Sequence, residues 1–133
     1  EMLQSEMRNQ ASIKPGNGYR IKRSLLIDPK KVTILAPEEK QELITKYDLI
    51  DKVVLNTNVD LLIETIIGYI KRHQSVDSTG TLSVYLGDQE ATGVRLEIVC
   101  STKIANFSDF KLFESHLLSM IMFYVNHFEL NRD

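Results

Sequence analysis

Residues 58–73 have the sequence NVDLLIETIIGYIKRH, and this stretch decides the fold. Its apolar residues recur every three or four positions, which places them on one face of an α-helix. That stripe consists of Val59, Leu62, Ile63, Ile66, Ile67 and Ile70. Asn58 is a good N-cap, and the cations at residues 71–73 suit the negative end of the helix dipole. Because β-branched residues are poor helix formers, we expect this helix to be held by burial against a sheet.

A β-hairpin is predicted after this helix, over residues 81–100. Apolar residues alternate with polar ones at Leu82, Val84 and Leu86, and again at Val94, Leu96, Ile98 and Cys100. The polar segment 87–93, with a glycine at each end, predicts the loop between the two strands. One apolar face on each strand is typical of an antiparallel sheet that is covered on one side.

Shorter elements are predicted on both sides of this unit. They are strands at residues 19–27, 32–35 and 52–55, a helix at 37–47, and a last helix at 109–128. Ser108 or Asp109 is expected to cap the last helix. The order of elements predicts an α+β fold, a two-layer sandwich in which a mixed, mostly antiparallel sheet is covered on one face by helices.

The length and composition fit one globular domain. The 133 residues are 43% hydrophobic and 26% charged, which is enough for one modest core. Residues 14–18, KPGNG, break any helix, so residues 1–18 are expected to be a linker or the end of a preceding helix, and residues 19–133 the domain. The chain begins with Glu1, and we interpret it as a piece of a longer protein.

Several kinds of site are disfavoured by the composition. A net charge of −2 gives no global attraction to nucleic acid or to a membrane surface. The single cysteine, Cys100, excludes an internal disulfide and a cysteine-built zinc site. His116 and His127 are eleven residues apart, and metal binding needs a closer pair with a carboxylate. We therefore predict no metal, and no direct membrane insertion because no run of roughly 18 apolar residues occurs.

Two parts of the central segment resemble a known family. Residues 65–72, TIIGYIKR, lie in the long helix, while Ser78–Val84 and Val94–Val99 supply the hairpin strands. These segments, and the order of elements around them, resemble the ATP-binding domain of bacterial sensor histidine kinases, members of the GHKL ATPase superfamily. The family's block, roughly Asn-Leu-Leu-x-Asn-Ala-x-Lys, corresponds to residues 65–72. The resemblance covers a little under half of the chain.

The chain departs from the family where the family binds nucleotide, at Thr65, Tyr69, Cys100 and Thr102. Tyr69 stands where the family has the asparagine that holds magnesium, and a phenol removes that ligand. Cys100 stands where the family has the aspartate that binds the adenine amino group. Two glycines of the same loop correspond to Thr102 and Ile104, whose side chains keep the backbone away from a nucleotide. The resemblance therefore implies a pseudo-ATPase domain that binds no cofactor and is not an enzyme.

Basic residues are concentrated near the first predicted strand. Between Lys14 and Lys31 there are six basic residues and one acid, Asp28, which gives a local charge of +5. We predict that the partner-binding residues are Arg20, Lys22, Arg23, Lys30 and Lys31, with Lys71 and Arg72 as an extension. Such a surface speeds association with an acidic partner. The alternative, a charged edge strand that resists aggregation, remains open.

The resemblance also implies a partner. Degenerate domains of this kind, such as the α-β-loop domain of Rcs-type phosphotransfer proteins, bind response regulators, while a histidine elsewhere carries the phosphoryl group. We therefore expect a cytoplasmic domain, in a parent protein that can be anchored in the inner membrane, that docks a response regulator. Dimerisation through the parent stays open. The alternatives are an active ATP-binding kinase domain with unorthodox ligands and a nucleic-acid-binding module, which the scarcity of aromatic residues near the basic strand disfavours.

Overall fold

The computed structural model describes residues 18–50 and 56–130, and it confirms the two-layer α+β prediction. Three strands, β1 (Arg20–Ile27), β2 (Leu82–Glu90) and β3 (Gly93–Ser101), form an antiparallel sheet in the order β1-β3-β2. Three α-helices are described, α1 (Pro37–Tyr47), α2 (Asn58–Arg72) and α3 (Phe107–His127). The predicted boundary between residues 1–18 and the domain at 19–133 stays a prediction, because residues 1–17 and 131–133 lie outside the described residues.

The hydrophobic core lies between one face of the sheet and the helices. Ile21 of β1 lies opposite Cys100 of β3, which in turn lies opposite Leu82 of β2, so these side chains share one face. They pack in one cluster with the apolar stripe of α2 and the inner side of α3. Ile66 and Ile70 of that stripe are fully buried. Burial of such a side chain contributes about 1.5–3 kcal/mol, which outweighs the weaker helix propensity of isoleucine, under about 0.7 kcal/mol.

The strand predicted at residues 32–35 is wrong. Asp28 instead caps a short 3-10 helix at Pro29–Lys31, and its carboxylate accepts a hydrogen bond from Lys30 N at 2.9 Å. Because this turn redirects the chain away from the sheet, only an isolated bridge forms, between Ile34 and Thr57. The strand predicted at residues 52–55 lies outside the described residues.

The predicted hairpin is confirmed, and its strands are longer than expected. Glu90 pairs with Gly93, so residues 91 and 92 alone form the turn. Much of the polar segment 87–93, predicted as loop, is therefore strand. The register shifts between Leu86 and Gln89, and this irregularity accommodates one extra residue of β2 within the pairing.

Helices α2 and α3 begin at caps other than those predicted. Thr57 Oγ1 accepts from Asp60 N at 3.1 Å, and the Asp60 carboxylate accepts from Thr57 N at 3.0 Å, which is a reciprocal capping box. For α3, Asn106 Oδ1 accepts from Asp109 N at 3.0 Å. Asn58, the predicted cap of α2, is instead a buried residue that bonds to other segments.

Candidate functional site

The four positions at which the sequence departs from the GHKL pattern that it resembles are largely closed to solvent; they are Thr65, Tyr69, Cys100 and Thr102. Thr65 on α2 is 2% exposed, and Cys100 and Thr102 at the end of β3 are both 0% exposed. Tyr69 is partly buried and packs against the core. A ligand therefore cannot touch three of these four side chains unless protein atoms move away.

Cys100 behaves as a small apolar residue of the central strand. Its neighbours across the sheet are Ile21 on β1 and Leu82 on β2. Burial, reinforced by the negative charge of Glu114, raises the pKa of the Cys100 thiol to about 12. The thiol thus stays protonated at neutral pH, and protonated thiols are poor nucleophiles.

Hydrogen bonds of Thr102 hold the end of β3 to the residues just before β1. Its hydroxyl donates to the carbonyl of Tyr19 at 2.7 Å and accepts from Ile104 N at 3.3 Å. Gly18 N donates to the Thr102 carbonyl at 3.1 Å, and a Cβ at Gly18 would overlap that same carbonyl. The backbone at this diverged position is therefore occupied by bonds within the chain.

Thr65 is satisfied within its own helix. Its hydroxyl donates to the carbonyl of Leu61 at 2.8 Å, one turn earlier on α2. Since Thr65 is buried and its hydroxyl already has an acceptor, this position offers no free polar group to a ligand.

The side chain of Tyr69 on α2 reaches α3. Its hydroxyl lies 2.5 Å from His116 Nε2, and its ring lies 6.0 Å from the ring of Tyr124. Partial burial, with the neighbouring Tyr124, raises the pKa of Tyr69, so the phenol stays neutral at physiological pH. Tyr69 therefore links two helices.

His73, directly after α2, completes an aromatic cluster with Tyr69 and His116. Its ring lies 4.6 Å from Phe113 and 6.1 Å from His116, and its Nδ1 accepts from Ser75 N at 3.1 Å. In the neutral ring Nε2 must then carry the proton, so this nitrogen is not ready to bind a metal. Across residues 18–50 and 56–130, no group of three His, Cys, Asp or Glu residues is placed to hold a metal ion.

We expect His73 to make the domain less stable as the pH falls. Burial, together with the nearby His116, lowers the pKa of His73 below its ordinary value of 6.5. A folded-state pKa below the unfolded one gives stability that is present above pH 6.5 and is lost as the pH falls through the folded pKa. NMR titration of the imidazole should therefore give a His73 pKa under 6.5, raised part of the way back in a His116→Gln variant. A pKa at or above the ordinary value would contradict this account.

The predicted basic residues do not form one continuous face. Arg20 and Lys22 lie opposite Ser101 and Val99, on the sheet face that points away from the core. Arg23 lies on the opposite, helix-covered face. Lys30 and Lys31 lie in the 3-10 helix beyond the far end of β1, and Lys71 and Arg72 end α2.

Arg23 has a partner within the chain. Its guanidinium lies 3.4 Å from the carboxylate of Glu114 on α3, which also accepts from Lys111 Nζ at 3.1 Å. Glu114 is only 6% exposed, and two cations compensate its charge. The sequence pattern missed this contact, because Arg23 and Glu114 lie on a strand and a helix that are far apart along the chain.

Among the three strands of the described residues, β1 lies at one edge of the sheet, the position that the charge pattern predicted. It pairs with β3 on one side, and at its far end Asp28 N donates to the carbonyl of Leu130 at 3.0 Å. The return of the chain after α3 thus covers one end of this edge. Both interpretations of the basic strand, docking and edge protection, fit this position.

Comparison with known proteins adds no relative. No model of a known protein family matches the chain, and no curated protein sequence matches it. Within the described part of the chain, the helices are too short or too polar to span a membrane. The likeness to GHKL domains rests on residues 65–72, 78–84 and 94–99.

Proposed function

We propose that this chain is a non-catalytic interaction domain of a two-component phosphorelay protein, related to GHKL ATP-binding domains. It docks a response regulator near a phosphohistidine that another part of the parent protein carries. The burial of Thr65, Cys100 and Thr102 is the observation that supports this proposal most directly. In an ATP-binding relative these positions contact the nucleotide, whereas here core packing and internal hydrogen bonds occupy them.

A docking domain of this kind acts through proximity. Tethering turns the encounter of regulator and phosphohistidine into an intramolecular event, with an effective concentration set by the linker. The domain itself then needs no catalytic group. It needs a surface that binds weakly enough for the regulator to leave after phosphoryl transfer.

The outer face of the sheet is our candidate for that surface. Arg20 and Lys22 project from this face, away from the helices. Arg23 contributes less to the positive charge of this surface, because Glu114 compensates its charge. Lys31 and Arg72 lie at opposite ends of α2, since Asn58 at its start bonds to the Lys31 carbonyl, and a helix of 15 residues is about 22 Å long.

Charge reversal tests both the function and the face. Receiver domains encoded by the source genome are titrated into the labelled chain and followed by two-dimensional NMR and calorimetry. We expect one of them to bind, and Arg20→Glu/Lys22→Glu to weaken that binding about tenfold or more, mainly through slower association. The Lys71→Glu/Arg72→Glu variant is the matched control, because it makes the same change of charge in the last turn of α2.

Three results would change this proposal. If only the control variant lost binding, the docking surface would move to the end of α2. If no receiver domain bound, the docking function would be wrong. Micromolar binding of ATP with magnesium would support the active kinase instead.

A further inference from the structure

The outer face of α3 has an unusual composition for a solvent-facing helix. No Asp, Glu, Lys or Arg occurs from Ser115 to His127, although seven of these thirteen residues are exposed. Leu112 is 71% exposed, Phe123 54% and Met122 48%. Surface helices normally carry charged residues on their outer side. Depletion of charge, with Met and aromatic residues present, is typical of the core of a protein interface.

The large and small side chains on this face are arranged symmetrically about the middle of the helix. Leu112 and Phe123 are eleven residues apart, about three helical turns, so they lie on the same side of α3 about 16 Å from each other. Ser115, His116 and Ser119 lie between them. The face therefore has a large apolar side chain near each end, and two serines and the imidazole of His116 near its centre.

A face of this shape is complementary to itself when two copies pack antiparallel. A two-fold axis near the centre of the face brings Leu112 of one copy against Phe123 of the other, twice. The serines meet at the crossing point, where small side chains allow the helix axes to approach closely. Because residues 115–127 contain no Asp, Glu, Lys or Arg, no like charges meet at the centre of the pairing. The neighbouring cations, Lys111 beside Leu112 and Lys46 with its Nζ 3.5 Å from His127 Nε2, lie at the two ends of the face.

We propose that this chain forms a reversible homodimer through the outer face of α3, antiparallel about a two-fold axis near Ser115 and Ser119. A second copy fits this face better than an acidic or basic partner, because the central residues 115–127 offer no formal charge to complement. The helix has 21 residues and is about 31 Å long, so it offers an area on the order of 500 Å². Stable interfaces bury about 800 Å² per partner, and the dimer is therefore weak, with a dissociation constant in the micromolar range or above.

Sedimentation equilibrium of the whole chain, from micromolar to millimolar concentration, tests this dimer. The mass should rise from the monomer value of 15.3 kDa toward twice that value. Leu112→Glu should weaken association at least about tenfold. Ile34→Glu is the matched control, because Ile34 is apolar and 80% exposed but belongs to the segment that bridges to Thr57 and not to the outer face of α3. It should leave association unchanged.

The antiparallel register has its own test. Leu112→Glu/Phe123→Lys should restore part of the association lost in Leu112→Glu, because opposite charges then face each other, and added salt should weaken that restored association. A chain that stays monomeric at millimolar concentration would overturn the proposal, as would a dimer insensitive to Leu112→Glu. The proposal would also be overturned if the chain were monomeric and Leu112→Glu abolished receiver-domain binding. The outer face of α3 would then be the surface that binds the regulator.

Discussion

Replacing Cys100 by aspartate, the residue that the resemblance to GHKL domains implies for this position, should destabilise the domain severely and create no nucleotide site. The Cys100 side chain is fully buried between Ile21 and Leu82 in the centre of the sheet. The guanidinium of Arg23, on the same sheet face, is already engaged by Glu114. The charge of Glu114, which disfavours a thiolate at position 100, also disfavours a second anion there. We expect Cys100→Asp to lower the free energy of unfolding by about 3–5 kcal/mol, a large share of the roughly 5–15 kcal/mol of a typical domain.

The pH dependence of this variant identifies the cause. Burial raises the pKa of a carboxyl group, so the folded pKa of the new aspartate lies above the unfolded value. The acid is then tolerated best at low pH, and stability is lost as the pH rises through the folded pKa. Urea unfolding of Cys100→Asp at several pH values should therefore show a deficit, relative to the natural chain, that grows from acid to neutral pH.

A variant that resembles the natural cysteine in size and polarity separates the effect of a buried charge from the effect of altered packing. Cys100→Val keeps an apolar side chain and should cost less than about 1.5 kcal/mol. Calorimetry with ATP and magnesium should detect no binding to either variant. A Cys100→Asp/Tyr69→Asn chain that folds normally and binds ATP at micromolar concentration would show that the nucleotide site is closed only by these two side chains, and would overturn the pseudo-ATPase interpretation.

The elements with long, regular patterns could be predicted from the sequence. The apolar stripe of α2 spans about three turns, and apolar residues alternate over Leu82–Leu86 and Val94–Cys100 of the hairpin. A pattern that repeats over this many residues predicts an element even where single positions are ambiguous. The boundaries were less predictable, because the caps Thr57 and Asn106 were each one of several suitable neighbouring residues. The segment at residues 32–35 has the composition of a strand, yet the turn capped by Asp28 removes it from the sheet.

The site could be predicted only in part, because its contacts join distant segments. Periodicity placed Cys100 on an inward strand position, and the structure confirms it as a buried small residue. Nothing local indicated that Tyr69 would bond to His116, or that Arg23 would pair with Glu114. A run of basic residues along a strand alternates between two faces, so the sequence overestimated how much of the positive charge lies on one surface.

Asn58→Leu should be among the most destabilising single substitutions outside the apolar core. The Asn58 side chain is 6% exposed and uses both ends of its amide. Oδ1 accepts from Thr33 N and from Val59 N, each at 3.0 Å. Nδ2 donates to the carbonyls of Lys31 at 3.0 Å and Phe128 at 3.3 Å. One side chain thus holds together the segment after β1, the start of α2 and the end of α3.

Leucine has nearly the same shape as asparagine but satisfies none of these four groups. At about 1 kcal/mol for each net hydrogen bond, with a further penalty for backbone groups left unpaired away from water, we expect Asn58→Leu to lower the free energy of unfolding by about 3 kcal/mol or more. Asn58→Asp keeps the two acceptor interactions, near the positive end of the α2 dipole. It loses both donor interactions, so its loss should be intermediate.

Denaturant unfolding and amide hydrogen exchange together test this role. Asn56→Leu is the matched control, since Asn56 is exposed two residues earlier and should change stability by less than about 0.5 kcal/mol. In Asn58→Leu, the amides of Thr33 and Asp28 should exchange faster than in the control, because Asp28 N is held by the Leu130 carbonyl just beyond the segment that Asn58 secures. Two results would contradict this role: a loss of unfolding free energy under about 1 kcal/mol, or faster exchange spread evenly over the sheet. Either would mean that water replaces the asparagine amide in the variant. Apolar packing alone would then hold the end of α3 against β1.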